Sequence, residues 1–317
     1  MSSECSIHVI FTGGTIGSKS EKGVISADKK PPYALIEKCP HASINFSTSE
    51  PYRILSENLN AAHLLALMNE IKAVIAEKQP DGIIIAHGSD TIQYTAAFLS
   101  SVFKAISLPI VLVASAYVLS DKRANGFDNF NSAALFIRDF ALSGKAPGVY
   151  VSYRNPDSRA VTLHSGSSLL RPLTFSADIE SADILSKNAL YLAMPNIDTD
   201  KLQLNSEFDS ILWLVERPGI SYPKSLDGIR VILLESYHSG TLCIDRNLKS
   251  LAKAAEALHI PVFLAGLAGT EDEYDTVAEY KNMGIIPLCG MTPINIYILL
   301  WIIISNNLSP LDCLKHS

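Results

Sequence analysis

Two short segments of the 317-residue chain place hydroxyl side chains next to glycines, directly after strand-like apolar runs. The first reads Thr12-Gly-Gly-Thr-Ile-Gly17 and the second His87-Gly-Ser-Asp-Thr91. Glycines at such turns let backbone N–H groups face a ligand, and a hydroxyl with a neighbouring base attacks carbonyl carbons. Taken singly, the first segment is also explained as a tight turn and the second as a helix capped by Asp90. The two together favour nucleophilic chemistry, with Thr15 as the candidate nucleophile.

The elements that position these turns alternate between short apolar runs and longer segments of helical period. This pattern is typical of βαβ units around a mostly parallel sheet. Such sheets bind ligands outside the carboxyl ends of their strands, where both turns fall. The pattern predicts strands at 7–11, 82–86, 110–114, 149–153, 211–215, 229–234 and 262–265. It predicts helices at 61–77, 90–102, 127–142 and 248–258.

Together the two segments resemble the signature segments of the bacterial-type L-asparaginases, whose second segment usually reads His-Gly-Thr-Asp-Thr. The resemblance extends over nearly the whole chain and is closest to the cytoplasmic, type I branch. Leu55-Ser-Glu-Asn-Leu59 is similar to the family's Ser-x-Asp-Met substrate segment, and 125–133 to its Asp-Gly-x-x-Asn-Leu helix start. Pro218-Gly-Ile-Ser221 resembles the opening of the family's second domain, and Tyr237-His-Ser-Gly-Thr241 resembles its Tyr-Gly-x-Gly-Asn turn.

The resemblance implies a two-domain α/β fold. A larger N-terminal domain has a mostly parallel sheet flanked by helices, and a smaller C-terminal α/β domain is flavodoxin- or Rossmann-like. Periodicity is lost between about 181 and 209, which indicates a linker there. We therefore expect a catalytic domain at 1–185, a linker at 186–210 and a C-terminal domain at 211–317.

The same resemblance implies an amidase that acts on L-asparagine or a related ω-amide. The threonine matching Thr15 attacks the side-chain amide, ammonia leaves, and water releases the acid from the acyl-enzyme. Ser89 stands where the family has its second catalytic threonine, so the implied catalytic residues are Thr15, Ser89 and Asp90. Ser56 is expected to hold the substrate carboxylate, and Asp90 its α-ammonium group. The implied substrate-binding residues are Gly14, Ser56, Gly88, Ser89, Asp90 and Ser115.

The sequence departs from the family at two groups that move protons. The family carries a Thr-Lys dipeptide shortly after the strand at 149–153, and Leu163 stands here at the lysine position. No tyrosine lies between Thr15 and Tyr33, where the family's lid loop carries one, and Val24 or a neighbour takes its place. A positioned base contributes about 10² to 10⁴ in rate, so the sequence predicts a weak or altered enzyme.

Three basic residues are candidates for the missing base. His164 titrates near neutrality, but alternation along a strand points it to the face opposite Leu163. Lys122 follows the strand at 110–114, and lysines in loops are usually solvated. His87 is expected to be a hydrogen-bonding residue of its turn rather than a base.

Composition limits the remaining function classes. With 26 basic and 32 acidic residues the net charge is −6, which argues against a nucleic-acid partner. The five cysteines form no C-x-x-C pair, so neither a disulfide framework nor a zinc site is indicated, and the first residues carry no secretory signal. We expect a cytoplasmic protein without metal or organic cofactor and without a membrane partner.

The segment 282–311 carries no charged residue, and its apolar centre is 294–304. This centre is shorter than the roughly 18 residues of a membrane-spanning helix, so a buried helix is predicted. A helix that is apolar all round must be covered on all sides. We therefore expect it in a subunit interface of the homodimer or homotetramer that the family resemblance implies.

Two functions of different class stay open. One is a catalytic amidohydrolase, and the other is a non-catalytic homologue that binds an amino acid in the same pocket. Two further functions rank lower. Transfer-RNA amidotransferase subunits share these motifs but normally carry additional sequence and depend on a partner, and a dinucleotide-binding oxidoreductase requires glycine at the position of Thr12.

Overall fold

A computed structural model describes residues 4–28, 30, 32–182, 198–205, 210–267 and 275–314. The chain divides into two compact units, Met1–Ser181 and Ala182–Ser317. Both units consist of a parallel or mostly parallel sheet with helices, which confirms the predicted α/β class. Most of the predicted linker at 186–210 lies outside the described residues, so the boundaries at 185 and 211 stay a prediction.

Unit 1 holds eight strands and four α-helices within the described ranges. The strands are β1 (Cys5–Phe11), β2 (Ser18–Glu21), β3 (Val24–Ala27), β4 (Ile44–Ser49), β5 (Gly82–Ala86), β6 (Pro109–Val113), β7 (Gly148–Tyr153) and β8 (Thr162–Ser165). The helices are α1 (Ala34–Glu37), α2 (Ala61–Lys78), α3 (Ile92–Val102) and α4 (Gly126–Arg138). Strands β2 and β3 form an antiparallel hairpin, and the other six form one sheet in the order β4-β1-β5-β6-β7-β8.

The sheet of unit 1 is parallel from β4 to β7, and β8 closes one edge in antiparallel pairing with β7. Strands β5 and β6 are apolar and buried along their whole length, because a central parallel strand is covered on both faces. The four strands predicted in this unit are therefore confirmed. Strands β2, β3, β4 and β8 were not expected, since their serine, threonine and charged residues break the apolar run.

A buried histidine links β1 to the edge strand β4. His8 is fully buried, with its Nδ1 2.7 Å from Ser47 Oγ and its Nε2 2.9 Å from Ser49 Oγ. Lys78 Nζ, at the end of α2, lies 3.5 Å from the same Nδ1. Burial, with the Lys78 charge, lowers the pKa of His8 to about 4. The imidazole is therefore neutral at pH 7.

Unit 2 has a four-stranded, fully parallel sheet in the order β12-β11-β10-β9. Its strands are β9 (Ile211–Val215), β10 (Val231–Glu235), β11 (Val262–Leu267) and β12 (Ile285–Cys289). Its helices within the described ranges are α5 (Arg246–Ala257), α6 (Thr276–Asn282), α7 (Pro293–Ser305) and α8 (Pro310–Leu314). The three strands predicted here are confirmed, and β12 is a further one that contains Pro287 and lies at the sheet edge, where proline is tolerated.

The apolar helix α7 is covered by its own chain. Eleven of its 13 residues are buried without any partner subunit, and it packs against β9, β10, β11 and α8. Tyr297, which is half-buried, lies with its ring 4.9 Å from that of Trp213, and Trp301 Nε1 donates to Asn205 O at 3.1 Å. The predicted buried helix is confirmed; its placement in a subunit interface stays a prediction, which burial by its own chain does not require. Among the described residues, no helix has the length and apolar character needed to cross a bilayer.

Stability is expected to fall as the pH drops from 6.5 to about 4. In the unfolded chain His8 takes up a proton near pH 6.5, whereas in the folded protein it does so only near pH 4. The free energy of unfolding therefore falls by at most about 3 kcal/mol as the pH drops through this range. The His8→Gln variant, which does not titrate, should show a flatter dependence in urea unfolding at several pH values. Replacing the exposed His238 by Gln is the matched control, and equal slopes in wild type and His8→Gln would contradict this account.

Candidate active site

The turns that follow β1 and β5 touch through two glycines. Gly14 has a φ of +73°, in the left-handed region, and a Cβ placed on it would lie 2.2 Å from Gly88 Cα. A Cβ on Gly88 would lie 2.4 Å from Ser56 Oγ. The turns that carry Gly14, Ser56 and Gly88 therefore meet at the carboxyl ends of the strands. Gly14 lies against the Gly88 backbone, and Gly88 lies against the Ser56 side chain. Thr15 and Ser89 directly follow the two glycines.

Backbone hydrogen bonds hold this meeting point. Thr12 donates to Ala86 O from both its backbone N, at 3.1 Å, and its hydroxyl, at 3.0 Å. Ile54 N donates to Thr12 O at 3.1 Å, and Gly14 N donates to Ile54 O at 2.8 Å. The hydroxyl of Thr12, which stands where a dinucleotide-binding turn has glycine, thus fixes the first turn to the second strand.

The hydroxyl of Thr15 makes no hydrogen bond to the part of the chain that the structure describes. Thr15 begins a 3-10 turn (Thr15–Gly17) and is half-buried. The turn itself is fixed, since Ser18 Oγ donates to Gly14 O at 2.8 Å. Ser89 is likewise half-buried and without a hydrogen-bond partner within the described ranges.

Ser56 and Asp90 form a polar pair beside these hydroxyls. Ser56 is buried, and its hydroxyl donates to Asp90 Oδ2 at 3.3 Å. Thr91 Oγ1 donates to Ser56 O at 2.9 Å, which ties the turn after β5 to the Ser56 turn. Asp90 is exposed, so its carboxylate is open to a cationic ligand group. The expected helix cap is wrong: α3 begins at Ile92 with Thr91 as its N-cap, and Asp90 faces Ser56 instead.

His87 has both ring nitrogens occupied. Nδ1 lies 2.8 Å from Gly88 O and therefore donates to it, so Nε2, 3.0 Å from Thr95 Oγ1, accepts from that hydroxyl. Burial lowers the pKa of His87 to about 4. His87 is thus a neutral hydrogen-bonding residue of the turn, as the sequence indicates, and is not free to act as a base.

Ser115 does not present its hydroxyl to the site. It is fully buried after β6, and its Oγ donates to Tyr117 O at 2.6 Å and lies 3.3 Å from Asn125 Oδ1. The side chain therefore stabilises its own turn. The substrate-binding role of Ser115 stays a prediction. Because its hydroxyl is occupied, a substrate would have to contact the backbone N–H or C=O of Ser115.

Two buried asparagines position the next strand ends and were not among the expected site residues. Asn125 accepts from Ala116 N at 2.8 Å and donates to Arg154 O at 2.6 Å. Asn129 donates to Ala114 O at 2.8 Å and accepts from Arg154 N at 2.7 Å. Both join the chain after β6 to the chain after β7. The signal that could have found them is the Asn-Gly-x-x-Asn spacing at the start of α4.

Strand β8 carries Leu163 and the candidate base His164. Leu163 pairs with Ser152 across the β7–β8 ladder and packs against the apolar core that contains Phe130 and Ala133 of α4. His164 is buried, with its Nδ1 2.9 Å from Ser181 Oγ, and burial lowers its pKa. Lys122 is exposed in the loop before α4. Leu163, which the family resemblance aligns with a lysine, therefore has its side chain in the apolar core of unit 1.

The hairpin that follows Thr15 carries apolar side chains near its turn. Its base is closed by Asp28 N, which donates to Gly17 O at 3.0 Å, and by Arg53 Nη1, which donates to Asp28 O at 2.6 Å. Val24 and Ile25 are 66% and 51% exposed there. The segment where the family carries a lid tyrosine thus presents aliphatic groups to solvent.

Several known proteins are similar to this chain in sequence and in fold. The sequence profile of the family described as "Asparaginase, N-terminal" matches residues 6–174, more than half of the chain. This chain belongs to the asparaginase family. The family resemblance derived from the two glycine turns is thereby confirmed.

Relatives of two kinds align with this family member over most of its length. A glutamyl-tRNA(Gln) amidotransferase chain from Sulfolobus acidocaldarius is 27% identical over 98% of this chain and 73% of its own length. An L-asparaginase from Thermococcus kodakarensis is 25% identical over 90% of this chain and 88% of its own length. The relatives therefore carry two different names, L-asparaginase and glutamyl-tRNA(Gln) amidotransferase, and these names state different activities.

Solved asparaginase structures share the fold of this family member. The thermostable L-asparaginase from Thermococcus kodakarensis superposes with a TM-score of 0.73 at 21% identity, covering 98% of this chain and 96% of that chain. A probable cytoplasmic L-asparaginase from Campylobacter jejuni gives a TM-score of 0.67 at 20% identity, covering 98% of both chains. The expected two-domain asparaginase fold is confirmed.

Replacing Gly14, which lies against Gly88, by alanine should destabilise the protein. In Gly14→Ala the new Cβ meets Gly88 backbone and the positive φ is strained, so we expect unfolding free energy to fall by at least about 2 kcal/mol. Gly17→Ala is the matched control, because its φ is not positive and its nearest neighbour, Pro32 Cδ, is 3.8 Å away. Urea unfolding compares the two, and equal stability of both variants would refute the close contact.

Proposed function

We propose that this asparaginase-family protein hydrolyses the ω-amide of an amino acid, L-asparagine or a close relative, through an acyl-enzyme on Thr15. The observation that supports it most strongly is the Gly14–Gly88 contact, which brings the two turns that carry Thr15 and Ser89 against each other and against Ser56, whose hydroxyl donates to Asp90. A hydroxyl that makes no hydrogen bond within the described residues is open to an amide carbon, and N–H groups of the glycine turns can stabilise the oxyanion, although the attack also needs a proton acceptor.

The roles of the side chains follow from their contacts. Thr15 Oγ1 attacks the amide carbon, and N–H groups of the glycine turns stabilise the oxyanion. Asp90, exposed and paired with Ser56, binds the α-ammonium group of the substrate, and Ser56 binds its carboxylate. Ser89 donates its proton to the departing amide nitrogen and takes one back from the water that accepts the Thr15 proton, so the ester and neutral ammonia form with no net change of protons. Ammonia leaves, and water then attacks the ester and releases the acid.

The proton of Thr15 passes to solvent water at the mouth of the site. His87 is neutral and fully hydrogen-bonded, and Leu163 packs in the core, so neither accepts it. Turnover without a positioned base is slower by about 10² to 10⁴. We therefore propose a slow enzyme, acting in the cytoplasm as a homo-oligomer.

A second function is favoured by the two aliphatic replacements. Leu163 lies in the core, and Val24 and Ile25 are exposed at the hairpin turn, so these positions supply no group that moves a proton. The polar pair Ser56–Asp90, which we assign to binding of the amino acid, is retained. A sensor that binds the amino acid without turnover would retain Ser56 and Asp90 and would not need a base. Relatives named as amidotransferase subunits make glutamine a necessary member of any substrate panel.

Ammonia release separates these functions. Over a panel of L-asparagine, L-glutamine and other ω-amides, we expect slow release that Thr15→Ala abolishes, because its nucleophile is gone, and that Thr15→Ser retains in part. Replacing the exposed Thr174 by Ala controls for loss of a threonine away from the site. No release from any amide, with thermal stabilisation by one of them, would establish the binding function instead.

Leu163→Lys tests whether the aliphatic residue limits the rate. We expect release to rise by about 10-fold or more, since the family resemblance puts the proton-accepting lysine at this position. Leu163→Met conserves the volume without adding a base and should leave the rate as in wild type. A folded Leu163→Lys protein with an unchanged rate would show that the base is not what limits turnover.

A further inference from the structure

A groove in unit 1 runs between α4 and the chain that connects β7 to β8. Its volume is about 620 Å³, which is within the range of small-molecule sites. One wall is a face of α4, since the lining residues there follow a helical spacing of three and four: Asp128, Asn131, Ser132 and Leu135. None of the lining residues that the structure describes belongs to the candidate active site.

Arg154, which lines the other wall, is held in a fixed position. Its side chain is 20% exposed, and its Nε donates to Asp128 Oδ2 at 3.0 Å while its Nη1 donates to Ser158 O at 3.2 Å. Its backbone O and N are bound by the buried side chains of Asn125 and Asn129. Within the described ranges, its Nη2 has no acceptor. The guanidinium is therefore preorganised, with one nitrogen available to a ligand.

Three more polar side chains line the groove without a partner. Arg159 is exposed, and Asn131 and Ser132 are half-buried. Among the described residues, none of the three makes a hydrogen bond or an ion pair through its side chain. The carboxylate of Asp128 is paired with Arg154, so no ion pair in that part of the chain compensates the charge of Arg159. The groove is therefore locally positive in a chain whose net charge is −6.

These groups suit an organic anion that carries oxygen atoms. A guanidinium binds carboxylate and phosphate oxygens through parallel N–H donors, and hydroxyl and amide groups add further donors. A cation is disfavoured, since the carboxylate among the described lining residues is already bound to Arg154. Leu135 and Val161, both half-buried, line the same groove. They offer an apolar surface to the hydrocarbon part of such an anion.

We propose that this groove is a second ligand site, in unit 1, which takes a small organic oxyanion with a short hydrocarbon group. The anion accepts hydrogen bonds from Arg159 and from Nη2 of Arg154, and Ser132 Oγ adds a third donor. The hydrocarbon group packs against Leu135 and Val161. The site does not depend on the proposed amidase chemistry.

The oxyanion has two sources, a phosphate monoester or a carboxylate, and calorimetric titration of the full chain at pH 7.5 distinguishes them. The probes are n-butyl phosphate, n-butyrate and the neutral n-butanol. We expect saturable binding of n-butyl phosphate with a Kd of about 1 to 10 mM, and no binding of n-butanol. Weaker binding of n-butyrate is expected, because it carries one negative charge where the phosphate carries nearly two. Tighter binding of n-butyrate would assign the site to carboxylates instead.

The decisive comparison removes the unpaired guanidinium. In Arg159→Gln we expect the affinity for n-butyl phosphate to fall by about 10-fold or more, because a charge-assisted hydrogen bond is lost. Arg217→Gln is the matched control, since it removes an exposed arginine of unit 2 that does not line the groove, and it should leave the affinity unchanged. Ser132→Ala retains both arginines and should weaken binding about threefold.

Two further measurements complete the test. Arg159 makes no side-chain hydrogen bond to the described residues, so Arg159→Gln should unfold in urea as wild type does. Ser56→Ala should leave the affinity unchanged, because Ser56 does not line the groove. No saturable binding of either anion, equal affinity with and without Arg159, or loss of binding in Ser56→Ala would overturn the proposal. None of these readouts uses turnover, so they stand apart from the ammonia-release assay.

Discussion

The site rests on one steric constraint, the contact between the backbones of Gly14 and Gly88. The register of the sheet sets Phe11 opposite Ala86, so the chains leaving β1 and β5 meet at once. Any side chain at either glycine would collide with the other turn or with Ser56. The contact therefore fixes how close the two turns lie, and it explains why both carry glycine before the hydroxyl residue.

Around that contact, buried polar side chains bind backbone groups rather than facing the ligand. Thr12, His87, Ser115, Asn125 and Asn129 each hydrogen-bond a carbonyl or an N–H at a strand end. A site supported in this way holds its reactive groups with little freedom, which is what both tight binding and catalysis need. At Leu163 and at the hairpin turn, where the resemblance leads us to expect lysine and tyrosine, the side chains are aliphatic.

The sequence was sufficient for features set by continuous apolar runs or by glycine spacing. The buried strands β5 and β6, the two turns and the neutral role of His87 follow from local pattern. Strands β4 and β8 could not be predicted, because polar side chains line a half-buried edge strand as readily as a loop. The burial of Ser115, the orientation of Asp90 toward Ser56 and the covering of α7 by its own chain depend on contacts between distant residues.

The central claim is that Thr15 forms a covalent ester with the substrate. Intact-protein mass spectrometry after rapid acid quench of wild type mixed with its best ω-amide tests it most directly. The account predicts an acyl adduct that peptide mapping locates on Thr15 and that is absent from Thr15→Ala. Ammonia release by wild type with no adduct, or with an adduct on another residue, would contradict it.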